Sequence, residues 1–515
     1  MSPWWQSAVA YQLYPRSFAD TDGDGIGDLE GVRSRLDHLV WLGVDALWLS
    51  PFFRSPMADF GYDVSDYCDV DPLFGTLDDF DRLLAEAHER GLKVIIDWVP
   101  NHTSDQHDWF VASRSGREDP KRDWYRWRDP APDGGPPNNW IRSWSDQPAW
   151  TLDEATGQYF LHCFLPEQPD LNWSNPEVQE AMHATLRFWL DRGVDGFRMD
   201  VVHLIGKDPA LPDDPPDLAA LSHVPLNHRP ETHALLRDIR TLLDGYDGDR
   251  MAVGEVYLLD TKDVATYYGD GDELHLNFNF PPLYTAWDAT KWRKQLVRAA
   301  GELDPIGAWP TWVLSNHDNQ RHRTRYGSEG RARAAAVLLL TLRGTPFLYA
   351  GEELGLEDAV VPPDRVVDPG GRDGCRAPIP WDATPTHGWG TEDPWLPWPP
   401  DADTRDVAAQ REDPTSILHL YRRLIAARKG SPALTAGTFE LLDVDALPAG
   451  VIGYRRIDGD DQRLVLVNFL AEAAVVAPAV AAGTIVEVST AGHGEGEPFG
   501  DALGPDEAVI LRPRG

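Results

Sequence analysis

Cysteine is scarce: three residues, Cys68, Cys163 and Cys375, in a chain of 515. They are odd in number and far apart, so a disulfide framework is excluded and a reducing, cytoplasmic location is expected. Neither these cysteines nor His107 and His162 show the spacing of a zinc site. Long apolar runs are also missing. The longest candidate, Ala334–Leu342, lies between Arg333 and Arg343; it fits a buried helix and falls short of a membrane span. The segment Met1–Gln6 lacks the basic end and apolar stretch of a signal peptide. Positive charge is in deficit. Lys and Arg number 47 against 83 Asp and Glu, a net charge of −36. Such a field repels phosphate, so neither nucleic acid nor an anionic membrane is expected as a partner. The charges are dispersed and 42% of residues are hydrophobic, which excludes extensive disorder. Tryptophan is abundant, with 21 residues; its flat faces suit sugar rings as well as cores.

Eight short apolar runs recur along the chain: Val9–Pro15, Val44–Ser50, Lys93–Val99, Val194–Val202, Met251–Tyr257, Leu274–Phe280, Thr311–Ser315 and Thr345–Ala350. Continuous apolar runs predict strands buried on both faces, as in a parallel sheet. The segments between them have helix periodicity. Thr76–Asp79 resembles a capping box with Gly91 as the stop, and Asn175-Pro176-Glu177 opens a helix that Gly193 closes. The expected fold class is α/β, a (β/α)8 TIM barrel over 1–101 and 172–430. Residues 102–171, rich in Pro, Gly, Trp and Asp, fall between the third strand and its helix. They are expected to form an inserted loop-rich domain on the C-terminal face, where barrel active sites lie. A second loop-rich insertion, 352–414, comes after the eighth strand. Residues 431–515 carry short alternating strands (Thr438–Leu442, Val451–Arg456, Leu464–Val467, Thr484–Val488, Ala508–Leu511) and are expected to form a C-terminal antiparallel β domain, a small sandwich.

Three strand ends carry acidic residues in apolar settings: Gly196-Phe-Arg-Met-Asp200, Val253-Gly-Glu255-Val-Tyr257 and Leu314-Ser-Asn-His317-Asp318. A single aspartate at a strand end is more often a structural ion pair. Three carboxylates at the same face, with Arg198 and His317 close by in sequence, point to a site. Like charges in one cleft disfavour joint ionisation, so one group stays ionised and another protonated. Glycosidic bond cleavage requires that division between nucleophile and acid.

The chain resembles the α-amylase family of glycosidases (glycoside hydrolase family 13). Asp97-Trp-Val-Pro-Asn-His102, Gly196–Asp200, Gly254-Glu255 and Asn316-His-Asp318 match in order and spacing. Gln168-Pro-Asp-Leu-Asn172 looks like the signature of the oligo-1,6-glucosidase branch. Gly61-Tyr-Asp63 and Gly371–Trp381 look like the α-glucosidase members, with one departure: Ala377-Pro378-Ile379 stands where members often read Thr-Pro-Met. The resemblance implies Asp200 as nucleophile, Glu255 as acid/base and Asp318 as transition-state stabiliser. It implies that Arg198 keeps Asp200 ionised, that His102 and His317 bond glucosyl hydroxyls, that Tyr62 stacks on the sugar, and that an Asp59–Arg376 ion pair grips the far hydroxyls. Trp144 and Phe164 are candidates for the next sugar subsite, with domain packing as the alternative. Val201, after the nucleophile, resembles the valine of relatives that favour α-1,6 bonds.

Asp20-Thr-Asp22-Gly-Asp24-Gly-Ile26-Gly-Asp28 places oxygen donors as in an EF-hand loop, with Ile26 offering its carbonyl, although position twelve is Gly31 and not Glu. A structural Ca²⁺ is expected there, and no organic cofactor. The expected activity is that of a retaining, exo-acting α-glucosidase on small oligosaccharides, in a monomer or small homo-oligomer. Transglycosylases and isomerases such as trehalose synthase share the triad, and a non-catalytic barrel serving as a binding module is the rival from another class.

Overall fold

The apolar runs become strands buried along nearly their whole length. In the computed structural model, which describes residues 3–258 and 260–514, they are β1 (Ala10–Leu13), β2 (Ala46–Leu49), β3 (Lys93–Trp98), β4 (Gly196–Met199), β5 (Met251–Gly254), β6 (Leu276–Asn277), β7 (Thr311–Val313) and β8 (Thr345–Tyr349). All pair in parallel, in the order β6-β5-β4-β3-β2-β1-β8-β7. Register runs from Ala10 beside Ala46 and Phe347 to Met251 beside Gly196. Among the described residues no backbone ladder joins β6 to β7. The Thr311 hydroxyl spans that seam, donating to the Asn277 carbonyl (2.7 Å) and accepting from the Asn279 amide (3.1 Å). Every strand is shorter than its apolar run; at β4, β5 and β7 the polar residues past the C-terminal end leave the ladder to form the site.

Helices cover the outside. Thr76 and Asp79 form the expected capping box on α1 (Leu77–Glu89). Asn175 caps α2 (Pro176–Arg192), which ends at left-handed Gly193. The apolar run at 334–342 lies in α3 (Glu329–Thr341), which is buried all round because the C-terminal sheet covers the face turned away from the barrel. No helix among the described residues is long and apolar enough to cross a membrane.

Between β3 and α2 the chain forms a short helix (Asp108–Arg114) and a three-stranded antiparallel sheet, with Phe110, Trp127 and Phe160 packed together. The segment after β8 is mostly irregular. Its tryptophans serve packing: Trp381 donates to the Phe18 carbonyl and Trp395 to the Ser17 hydroxyl. The C-terminal strands β9 (Thr438–Leu441), β10 (Val451–Asp458), β11 (Asp461–Asn468), β12 (Thr484–Ser489) and β13 (Ala508–Pro513) form one antiparallel sheet, ordered β9-β10-β11-β13-β12. A sandwich was expected. The second layer is only a two-stranded ribbon, Ala474–Val475 with Ala502–Leu503, since the other face of the large sheet is already buried against α3.

Candidate active site

A cavity of about 320 Å³ opens at the C-terminal ends of the strands, lined by Asp59, Tyr62, His102, Trp144, Phe164, Gln168, Asp200, Val201, Glu255, Asp318 and Arg372. Nine of the twelve residues expected around the substrate therefore share one wall; Arg198, His317 and Arg376 stand directly behind it.

Each carboxylate leaves its strand where the ladder stops. Asp200 comes after β4, Glu255 after β5, and Asp318 after β7 and a short turn. Arg198, itself in β4, reaches Asp200 and Asp97 (both 2.7 Å) with one nitrogen and Glu255 with the other. One guanidinium is thus divided among three carboxylates. Burial pushes Asp200 well above the usual carboxylate range, and Glu255, Asp97 and Asp318 add to that; Arg198 opposes the rise but does not cancel it. Arg198 thus favours the Asp200 anion as expected, while burial and the neighbouring carboxylates work against it. Asp97 is pushed up to about 6 by burial, again against Arg198. Asp318 is different. Despite burial, His317, Arg372 and Arg376 hold it well below the ordinary value, and both arginines touch its Oδ1 at 3.0 Å.

Val201 adopts a left-handed backbone, φ +34°, a strained state for a β-branched residue. The turn aims its N–H at Glu255 Oε2 (3.2 Å). A second tight turn sets Asp59 and Tyr62. Gly61 has φ +108°, and a Cβ there would come within 2.9 Å of Pro51, so only glycine lets the chain reverse and present both neighbours to the cavity.

Tyr62 stacks on His317 (5.4 Å between centroids, 9° between planes) and its hydroxyl bonds Asp97 Oδ2. Burial lowers His317 to about 3, so it is neutral near pH 7. Its Nδ1 meets Gln12 (2.7 Å), and its Nε2 meets the Tyr62 hydroxyl (2.5 Å) and Asp318 Oδ2 (3.1 Å). Both ring nitrogens are engaged within the protein, and His317 braces Asp318 from behind the cavity lining. His102, lowered by burial to about 4, lines the cavity and meets Gln168 at 3.1 Å.

The ion pair expected between Asp59 and Arg376 is formed by Arg372, at 2.5 Å. Arg376 lies deeper and pairs with Asp318 and Asp368, because four residues on a tight helical turn place the two guanidinium groups one behind the other. Trp144 lies over Arg372 (4.4 Å) and beside Phe164 (5.4 Å), so these two aromatics both line the cavity and pack. Gln168, which donates to Asp59 (3.1 Å), was missed as a site residue although it sits in a quoted motif. Asp97 was likewise within a motif; Asp368 lay in none.

In the loop at 20–28, carboxylate oxygens of Asp20, Asp22 and Asp28 come within 4.8 Å of one another. This donor set suits a hard cation. Asp24 is exposed and accepts its own loop's Ile26 N–H (2.7 Å), so three of the four expected carboxylates are gathered.

The model of the α-amylase catalytic domain matches residues 12–437. The chain is 44% identical to a probable α-glucosidase of Rhizobium meliloti over 506 residues, covering 92% of this chain and 90% of that one. It is 39% identical to an oligo-1,6-glucosidase of Parageobacillus thermoglucosidasius, covering 90% of each. Among solved structures, an α-glucosyl transfer enzyme superimposes with a TM-score of 0.91 at 40% identity over the whole of both chains. The trehalulose synthase of Pseudomonas mesoacidophila gives 0.90 at 34% identity, over 99% of this chain and 100% of that one.

Proposed function

The chain belongs to the α-amylase family and is a glycoside hydrolase, and from that premise we propose that it is a retaining, exo-acting α-glucosidase of short oligosaccharides. The observation that carries this reading is the convergence of three carboxylates on one small cavity that the buried Asp59–Arg372 pair also lines. So small a cavity suits a chain terminus better than the middle of a polymer.

Asp200 attacks the anomeric carbon while Glu255 protonates the glycosidic oxygen. Water then hydrolyses the glycosyl–enzyme with Glu255 acting as base. Burial favours neutral Asp200 in the free cavity, whereas positive charge developing on the sugar favours its anion. Asp318, held ionised by two arginines, is placed to oppose that same positive charge. A structural Ca²⁺ held by Asp20, Asp22 and Asp28 is part of the proposal, as is a cytoplasmic setting. Glucosyl transfer to a sugar acceptor is the second reading, supported by the likeness to an α-glucosyl transfer enzyme.

The test is the anomer first released from a chromogenic α-glucoside and from isomaltose. Retention gives α-glucose; β-glucose as first product rejects double displacement. Glu255→Gln should lose most activity on poor leaving groups and regain part of it with azide on activated ones. Product analysis at high sugar concentration separates hydrolysis from transfer.

A further inference from the structure

Behind the cavity, Asp368 joins the two arginines that touch Asp318. It is buried, and its Oδ1 accepts from Arg372 Nη2 at 2.6 Å and from Arg376 Nη1 at 3.3 Å. Oδ2 accepts from Arg372 Nε (2.9 Å) and from the Arg372 backbone N–H (2.7 Å). Two guanidinium groups that meet at one oxygen of Asp318 repel each other. A carboxylate between them offsets that repulsion, and its two-pronged contact with Arg372 fixes the plane of the fork. The local sequence is shaped for this contact. Asp368-Pro-Gly-Gly-Arg372 folds as a turn, with Gly371 N–H bonded to the Asp368 carbonyl (3.1 Å) and Gly371 at φ +72°. A Cβ on Gly370 would lie 2.8 Å from Arg372 Nε and 3.1 Å from Asp368 Oδ2. Glycine at that point lets the arginine side chain double back onto the aspartate.

We propose that Asp368 is a positioning residue. It touches no substrate, but it sets the orientation of Arg372 and Arg376 and, through them, of Asp59 and Asp318. The inference rests on the α-glucosidase reading of the cavity and adds a supporting layer to it.

Steady-state kinetics on p-nitrophenyl α-glucoside would be measured for the full-length wild type, Asp368→Asn, Arg372→Lys and the double variant. Asp368→Asn should lower kcat/KM about 100-fold, with both a higher KM and a lower kcat, since a misplacement of about 1 Å costs that much. Because Arg372 makes three of those four contacts and the closest ones, Asp368 acts chiefly through it, and the double variant should fall within about fivefold of Arg372→Lys alone. Losses that multiply, or Asp368→Asn kinetics within about twofold of wild type, overturn the proposal. If Asp368→Asn fails to fold, Gly370→Ala decides. It keeps every charge and crowds only the Arg372–Asp368 fork, so it should lower kcat at least about tenfold with a melting temperature within about 3 °C of wild type; unchanged kcat refutes the role. A wild type that cleaves no α-glucoside refutes the reading of the site and not the clamp. The clamp is then read by calorimetry with 1-deoxynojirimycin, which Asp368→Asn should bind at least about tenfold more weakly than wild type. Equal binding, or none by either protein, overturns it.

Discussion

Val201 combines a strained backbone with a position beside the reacting carboxylates. Its left-handed turn costs of order 1–3 kcal/mol, and in exchange its N–H holds Glu255. Its side chain lines the cavity and offers a leaving sugar no hydrogen bond. An α-1,6 link carries an extra rotatable carbon and swings away from the valine, whereas an α-1,4 sugar presses on it. Isomaltose should therefore be cleaved at least as well as maltose, and Val201→Thr should shift the ratio of their kcat/KM values toward maltose by about tenfold or more. Both side chains are β-branched and share the same backbone strain, so a change in ratio reports the hydroxyl alone. An unchanged ratio removes Val201 from linkage choice. At this scale the sequence was most legible where motifs are contiguous: Asp200, Glu255 and Asp318 each lie near or just past the end of an apolar run. It misled at Arg376, because nothing in Gly371–Trp381 tells which of two arginines four residues apart faces Asp59; that depends on how the Asp368–Arg372 turn folds back. It was silent about Gln12, which reaches His317 from 305 positions away.

At the scale of elements, the residues just past a strand matter as much as the strand itself. Glu353, beyond β8, accepts from the Tyr11 hydroxyl on β1 (2.8 Å) and the Gly351 N–H (2.9 Å), tying neighbouring strands together above their ladder. Burial pushes it from 4.5 up to about 7. Its folded value lies above its unfolded one, so this group's stabilisation is complete below pH 4.5 and is lost as pH rises through 7. Glu353→Gln cannot ionise. Its stability should be flatter than that of wild type between pH 4.5 and 7.5, a difference in slope amounting to roughly 3 kcal/mol across the window. Parallel denaturant melts at the two ends measure it, and identical slopes would reject the assignment. Strand identities were readable from apolar runs and caps, but strand lengths were not, because the backbone leaves the ladder where the site begins. The two-residue β6 is the extreme case, within a run of seven expected from Leu274 to Phe280.

Over the whole molecule, the loop at 20–28 meets the insertion after β8. Gly25 accepts from the Trp395 N–H (2.9 Å), and Gly390 packs against Gly23. A cation on Asp20, Asp22 and Asp28 would lock the first barrel loop beneath the last one. Chelation should then lower the melting temperature by several degrees, since a ligand bound only to the folded state stabilises it by mass action, while turnover at low temperature stays unchanged. An Asp20→Ala, Asp22→Ala double variant that melts like wild type and holds as much metal would eliminate the site. The barrel, the insertion and the C-terminal strands were all legible from alternating patterns. The small size of the last domain's second layer, a two-stranded ribbon, was not, because it depends on what the barrel already covers.

The Thr311 hydroxyl gives the barrel a direction of weakness. Seven of its eight seams are zipped by backbone amides, and the eighth is latched by a side chain. The cylinder is mechanically a split ring and not a hoop. Strain applied anywhere around its wall, by heat, by denaturant or by pulling the termini apart, concentrates at the latch between β6 and β7. The Asn279 amide should therefore exchange with deuterium earlier than amides on β2 or β3. Thr311→Val should speed its exchange further and leave β1–β4 unaffected; protection equal to that of the other strands would show the ring to be closed after all.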